Sequence, residues 1–305
     1  MTVTKCTLIP RQFRAKDSKL LSGQSPLATL RKNTGYSISN CKKALEANGN
    51  NLEQAEAWLN SQAQAQGWDK AAKLQNRATK NGLVGIAFNN KNAVIVEVNC
   101  ETDFVARNEK FKNLVAKAAE TCFVGLPSSC STGSTIVQQK FSSEQLGALN
   151  INGDSKTLSD VVALNIGQIG ENISVRQGAS LSSSSDNIKI ACYSHPLEWI
   201  GEILLGKYGA VVAYVDNSKS SLEPSELPDG VCIEKLPKQL CQHIIGMNPR
   251  SIDRIEGSAP GDGETALVHQ EFVANPEYLV GEVLEKVGWE IKGFVRIECG
   301  ESSQS

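Results

Sequence analysis

Thr102-Asp103-Phe104-Val105 sets a carboxylate beside a large aromatic ring where the chain changes character. An apolar, strand-like run, Ala93 to Val98, precedes it, and a helix-like run, Glu109 to Glu120, follows it. Junctions between elements sit at the surface, and a surface ring needs a reason to be there. The carboxylate can cap the helix or act on charge elsewhere; the ring can fold inward or stand out. Local chemistry by itself favours the plainer arrangement, with Asp103 capping the helix and Phe104 turned into the core.

Enzymatic chemistry needs a convergent acid, base or nucleophile, and none can be assembled from this chain. The three histidines, His195, His243 and His269, stand apart from any Gly-x-Ser-x-Gly turn or His-Glu-x-x-His helix. Alone, such residues read as surface or satisfied core histidines. Leu205-Gly206-Lys207-Tyr208-Gly209 contains Gly-Lys but lacks the following Ser/Thr of a phosphate loop. Gly261-Asp262-Gly263 has no strand-to-helix setting and reads as a turn. Nine cysteines are spread singly with no Cys-x-x-Cys pair. That pattern argues against both a secreted disulfide framework and a structural zinc site. They read as reduced, mostly buried thiols of an intracellular compartment. No cofactor and no metal are expected.

A chain of 305 residues can bury a substantial core in two or three units, and 40% hydrophobic with 21% charged residues fits a soluble globular protein. The net charge of -2 argues against a general nucleic-acid binder. No apolar run approaches the roughly 20 residues that span a membrane. Residues 1–24 differ from the rest: Lys5, Arg11, Arg14, Lys16 and Lys19 face a single acid, Asp17, among Ser and Thr. This is the composition of a mitochondrial transit peptide.

The elements that must position the acid and the ring follow from periodicity. Residues 25–66 read as three short helices, with Gly35 and Gly49 past the ends of the first two, Ser37 or Ser39 capping the second and Asn50 or Asn51 the third. Residues 67–81 read as a polar connecting helix, within an Ala/Gln/Lys-rich stretch that Asn81-Gly82 ends. Leu83 to Phe88 and Ala93 to Val98 form a hairpin. A helix to about Cys122, a second helix over Leu158 to Gln168 ended by Gly170, and a strand over Asn172 to Arg176 follow. The second half repeats the order: strands Ile188 to Tyr193 and Ala210 to Val215, helices Pro237 to Ile245 and Tyr278 to Val287, and strand Ile291 to Ile297. Ser128 to Ser134, Leu181 to Asp186 and Asn217 to Gly230 read as loops. The expected fold class is α+β: a three-helix bundle, then a duplicated core of subdomains 82–180 and 181–305. Each subdomain is expected to be a three-stranded antiparallel sheet covered by helices.

Thr-Asp-Phe-Val after Glu-Val-Asn-Cys resembles the signature of elongation factor Ts. Leu30-Arg31-x-x-Thr34-Gly35 with Cys41-Lys42-Lys43-Ala44-Leu45 resembles the ubiquitin-associated-like (UBA-like) domain that opens that family. Leu204 to Ala210 and the closing Phe294 to Glu301 also match, so the resemblance spans about Pro26 to Glu301. The chain has no long heptad run, as in the shorter mitochondrial type. The resemblance implies a factor without catalytic chemistry of its own. It would act in the mitochondrial matrix as guanine-nucleotide exchange factor for elongation factor Tu, without direct nucleic-acid or membrane contact. It further implies that Thr102, Asp103, Phe104 and Val105 disturb the magnesium side of that partner, with Phe104 as wedge. Asp103 would either compete near the cation or simply cap its helix. Arg31 and Ile38 of the bundle, and segments Trp199 to Gly209 and Leu236 to Pro249, would contact the same partner. The bundle alone would also suit a ubiquitin-binding adaptor, which leaves the duplicated core unexplained.

Overall fold

The computed structural model describes residues 25–301 except residue 35, residue 37 and residues 127–134, 152–154, 218–227 and 255–263. The expected transit peptide, Gly35, Ser37, the Ser128 to Ser134 loop, most of the Asn217 to Gly230 loop and the Gly261-Asp262-Gly263 turn lie outside the described residues. The chain divides into a unit up to Asn60 and a unit from Ser61 onward.

In the first unit, α1 (Pro26–Thr34), α2 (Ile38–Ala47) and the beginning of α3 (Leu52–Leu74) close on Leu30, Cys41, Ala44, Leu45, Ala55 and Leu59. Gly49 and Asn50 take positive φ (58° and 61°) and turn the chain after α2. The Asn51 side chain then accepts from Gln54 N at 3.1 Å to start α3. The separate connecting helix expected after the bundle is the continuation of α3, which runs unbroken to Leu74. Ala, Gln, Lys and Leu are all good helix formers, and one glycine does not stop them.

That glycine has its own reason. In the second unit, α3 crosses α7 (Leu158–Ile169) at Gly67 and Gly167, where a Cβ on Gly67 would fall on the carbonyl of Ala163 and one on Gly167 would sit 2.9 Å from Ala63 O. Helix propensity alone makes Gly67→Ala stabilising by about 1 kcal/mol; a clash with backbone, which cannot step aside cheaply, costs about 1–3 kcal/mol. The clash should win. Urea unfolding of Gly67→Ala is expected to show a net loss of up to about 2 kcal/mol, and a gain would refute the crossing.

The core opens with the hairpin β1 (Asn81–Phe88) and β2 (Asn92–Cys100), turned by the Asn89 side chain, which accepts from Lys91 N and Asn92 N. Next come α4 (Asp103–Ala106), α5 (Glu109–Gly125), β3 (Ile136–Ser142), α6 (Ser143–Gly147), α7 and β4 (Ile173–Ser183). The second half runs β5 (Ile188–His195), β6 (Glu198–Ile200), β7 (Ile203–Gly206), β8 (Tyr208–Asp216), α8 (Leu236–Met247), β9 (Glu271–Phe272), β10 (Asn275–Leu279), α9 (Val280–Val287) and β11 (Trp289–Glu298). Among the described residues the larger sheets are antiparallel, in orders β3-β4-β2-β1-β7-β6 and β11-β8-β5.

The mixed α/β fold with antiparallel sheets and covering helices is as expected. The smaller sheet is three-stranded, but the larger is six-stranded rather than three-stranded. Two departures explain this. The Leu181 to Asp186 stretch is no plain loop, because β4 continues to Ser183 between β2 and β3, with its backbone paired on both edges. The connection after His195 folds into the hairpin β6–β7, whose β7 pairs with the free edge of β1 (Ile86 with Leu204). An exposed edge strand would otherwise offer unpaired N–H and C=O groups. Tyr278 and Leu279, expected in the last helix, belong to β10 instead.

The two sheets stack face to face over Ile86, Ile95, Leu181, Val211, Ala213 and Val295. Helices α5 and α7 close the outer face of the larger sheet around Phe111, Val115 and Ile166, and α8 and α9 close that of the smaller around Leu240, Ile244 and Val283. Both halves share a motif: β2 is flanked by β1 and β4, β8 is flanked by β5 and β11, and the helix before β4 or β11 ends on a left-handed glycine, Gly170 (φ 89°) or Gly288 (φ 69°). His243 is a satisfied core histidine. Its Nδ1 accepts from Val273 N at 3.3 Å, Nε2 meets Gln270 Oε1 at 3.0 Å, and burial lowers its pKa.

Candidate functional site

The chain leaves β2 at Cys100 and turns into α4 through Thr102. Thr102 is extended (φ -122°, ψ 154°), and its Oγ1 accepts from Val105 N at 3.3 Å. The helix cap is therefore Thr102. Asp103, the expected cap, occupies the first helical position, and its carboxylate pairs with Arg107 four residues on at 3.1 Å. A β-region hydroxyl residue just before an acidic first turn is an ordinary start signal, so this assignment was open to sequence reasoning.

The turn is fastened from below. The Thr102 hydroxyl donates to Glu171 Oε1 at 2.7 Å and Thr102 N to Glu171 Oε2 at 3.1 Å. In return Asn172 N donates to Glu101 Oε1 at 2.7 Å, and Arg77 reaches Glu101 Oε2 at 3.4 Å. The Cys100 thiol donates to Thr102 O at 3.1 Å; burial, followed by the charge of Glu171, pushes that thiol up to about 12. Nothing local in the sequence points to Glu171, 69 positions away.

Val105 and Ala106 pack on the cluster beneath α5. Phe104 faces the opposite way and is 79% exposed, the most exposed large hydrophobic among the described residues. The inward ring favoured by local chemistry is thus overturned: a single helical turn cannot bury 104, 105 and 106 on one side, and Val105 and Ala106 take the core side. A cleft of about 360 Å³ adjoins the turn, lined by Leu83, Asp103, Arg107, Lys112, Glu198 and Lys207 among others. Lys112 spans it, bonded to Glu198 at 2.7 Å and Glu109 at 3.2 Å; the bond to Glu198 chiefly raises its pKa. Beyond it, Trp199 of β6 is half exposed and lies 6.4 Å, ring to ring, from the partly exposed Phe88. Arg31 and Ile38 are exposed residues of the first unit, at the end of α1 and the start of α2; Thr102 to Val105 belong to the second unit.

The family model for elongation factor Ts, mitochondrial, N-terminal, matches residues 11–69, and that for elongation factor TS matches residues 101–259, which take in the whole capped turn. The chain belongs to the elongation factor Ts family. Mitochondrial elongation factor Ts of Aedes aegypti is 42% identical over 91% of this chain and 88% of its own length. The Xenopus laevis and Salmo salar proteins of that name are 40% and 38% identical over 94% and 93% of this chain, and 89% and 88% of their own. Membership in the elongation factor Ts family makes this chain a translation elongation factor of the mitochondrial type.

Proposed function

We propose that this protein is the guanine-nucleotide exchange factor for elongation factor Tu in the mitochondrial matrix. The observation that carries the reading is Phe104, a ring held out to solvent on a turn whose other apolar residues, Val105 and Ala106, pack against the core. A GTPase grips GDP through its phosphate loop and a magnesium ion. A partner that binds the empty form more tightly than the loaded form lowers nucleotide affinity by the same factor that nucleotide lowers its own.

In this reading Phe104 is the wedge that enters the partner near the magnesium and phosphate contacts. Thr102 caps the turn and sets its angle, and Val105 anchors it to the core. Asp103 brings a carboxylate to the cation's side, exchanging its exposed pair with Arg107 for new charge contacts. Exposed ion pairs of that kind hold by about 0–1 kcal/mol and are readily given up. The chain's own residues perform no bond chemistry. The three-helix unit serves as a UBA-like docking module, with Arg31 and Ile38 toward the same GTPase. The corresponding three-strand orders β4-β2-β1 and β11-β8-β5 support an origin of the two core halves by duplication, and the half-exposed Trp199 supports a further contact through the second half.

The test is release of a fluorescent GDP from mitochondrial elongation factor Tu. Added protein is expected to accelerate release in a saturable manner, and release at the spontaneous rate over the whole titration would overturn the proposal.

A further inference from the structure

We infer that Glu171 is a positioning residue of the exchange site: through Thr102 it fixes the direction in which Phe104 projects. The inference rests on the wedge reading above and adds a residue that reading does not contain. Helix α4 has four residues, too few to hold its own shape. Phe104 is almost bare of protein contact, so its direction is inherited from the backbone of the turn. That backbone is set at Thr102, where Glu171 takes both available hydrogens, the hydroxyl at 2.7 Å and the amide at 3.1 Å. Sending the hydroxyl hydrogen to a carboxylate leaves the oxygen's lone pair for Val105 N–H, so one side chain fixes the cap rotamer and the first turn together.

Glu171 is itself placed by the end of α7. Gly170 takes the left-handed C-cap conformation (φ 89°), and the next residue points back at the β2–α4 junction. Its neighbour forms a separate fastening, Asn172 N to Glu101 and Glu101 to Arg77, which joins the same two junctions without touching Thr102 or the turn beyond it. Loss of Glu171 therefore leaves the junctions tied while the cap is loosened, the turn keeping the Cys100 bond to Thr102 O and the packing of Val105 and Ala106. Glu101 differs in this respect: its removal would loosen the fastening to Asn172 and Arg77, with the β2–β4 ladder still paired, and leave the cap intact.

The experiment is a double-mutant cycle of Glu171→Ala and Phe104→Ala, read by the saturating rate of GDP release, the concentration giving half that rate, and hydrogen exchange at the Val105 amide. Glu171→Ala is expected to lower the saturating rate about tenfold and to shift half-saturation by no more than about twofold. It should speed Val105 amide exchange and add no further loss in the Phe104→Ala background. Native release by Glu171→Ala beside slow release by Phe104→Ala would overturn the positioning role and leave the wedge standing. Native release by Phe104→Ala would overturn both. An equal loss from Glu171→Ala in both backgrounds, or an unchanged Val105 amide, would also overturn it, because the effect would not pass through the turn. If Glu171→Ala melts more than about 5 °C early, Glu171→Gln, which keeps the length and one acceptor oxygen, replaces it in the same cycle. A loss of about threefold is then expected, and native release would overturn the role.

Discussion

Replacing Phe104 with alanine is expected to slow GDP release from elongation factor Tu by about 10- to 100-fold and to leave thermal unfolding of the free protein unchanged. The two halves of that expectation have different origins. Truncating a ring that is 79% exposed removes almost no packing from the folded state, so stability should stay within about 0.5 kcal/mol. Against a partner the same ring can bury on the order of 150–200 Å², worth roughly 4–5 kcal/mol at about 25 cal/mol per Å² before ordering costs. Couplings between sites are commonly about 1–3 kcal/mol, which corresponds to about 5- to 150-fold. One ring is thus sufficient. A variant that exchanges at the native rate would remove Phe104 from the mechanism; one that melts early would show that the ring packs against its own fold.

The largest effect on stability is expected at Glu97, a carboxylate on β2 that is completely buried. It faces the β-bulge between β2 and β4, where Arg176 has no partner residue across the ladder. The bulge turns side chains at Arg176 and Gln177 toward the carboxylate, which accepts from Arg176 at 3.3 Å and Gln177 at 2.7 Å. It also accepts from Asn99 at 2.9 Å and from Gly300 N, beyond β11, at 2.8 Å. One residue therefore closes the bulge and ties the end of the chain to the larger sheet. Removing one side of a buried charge network leaves its donors unpaired, at a cost of about 3–5 kcal/mol. Asn99 Oδ1 already lacks a partner among the described residues, so the site has little to rearrange with. Glu97→Ala is expected to melt about 10 °C below the parent, measured by circular dichroism, with the shift localised by faster amide exchange at Gly300. A change of less than about 2 °C would mean that solvent or neighbouring groups satisfy the donors.

Much of this was legible in residue order. The helix ends at Gly49 and Gly170, the Asn89 hairpin and helices α5, α7 and α8 depend on contacts within a few residues, and periodicity exposes them. The smaller sheet was readable because its strands carry a plain apolar pattern. The larger sheet was not: its Ser-rich extension reads as loop by composition, and β7 reaches β1 from more than a hundred residues away. A sequence window contains no term for the edge that such a segment will satisfy.

The site divides along the same line. Residue types and their order alone determined that an acid and a ring meet at a strand-to-helix junction, and several ordered motifs determined the family. Only the tertiary structure decided which way the ring faces, which residue caps the turn and what holds the cap. The reason is geometric. Capping and helical phase act over three or four residues, whereas the direction of Phe104 depends on Val105 and Ala106 competing for one core and on a carboxylate delivered from the far end of another helix.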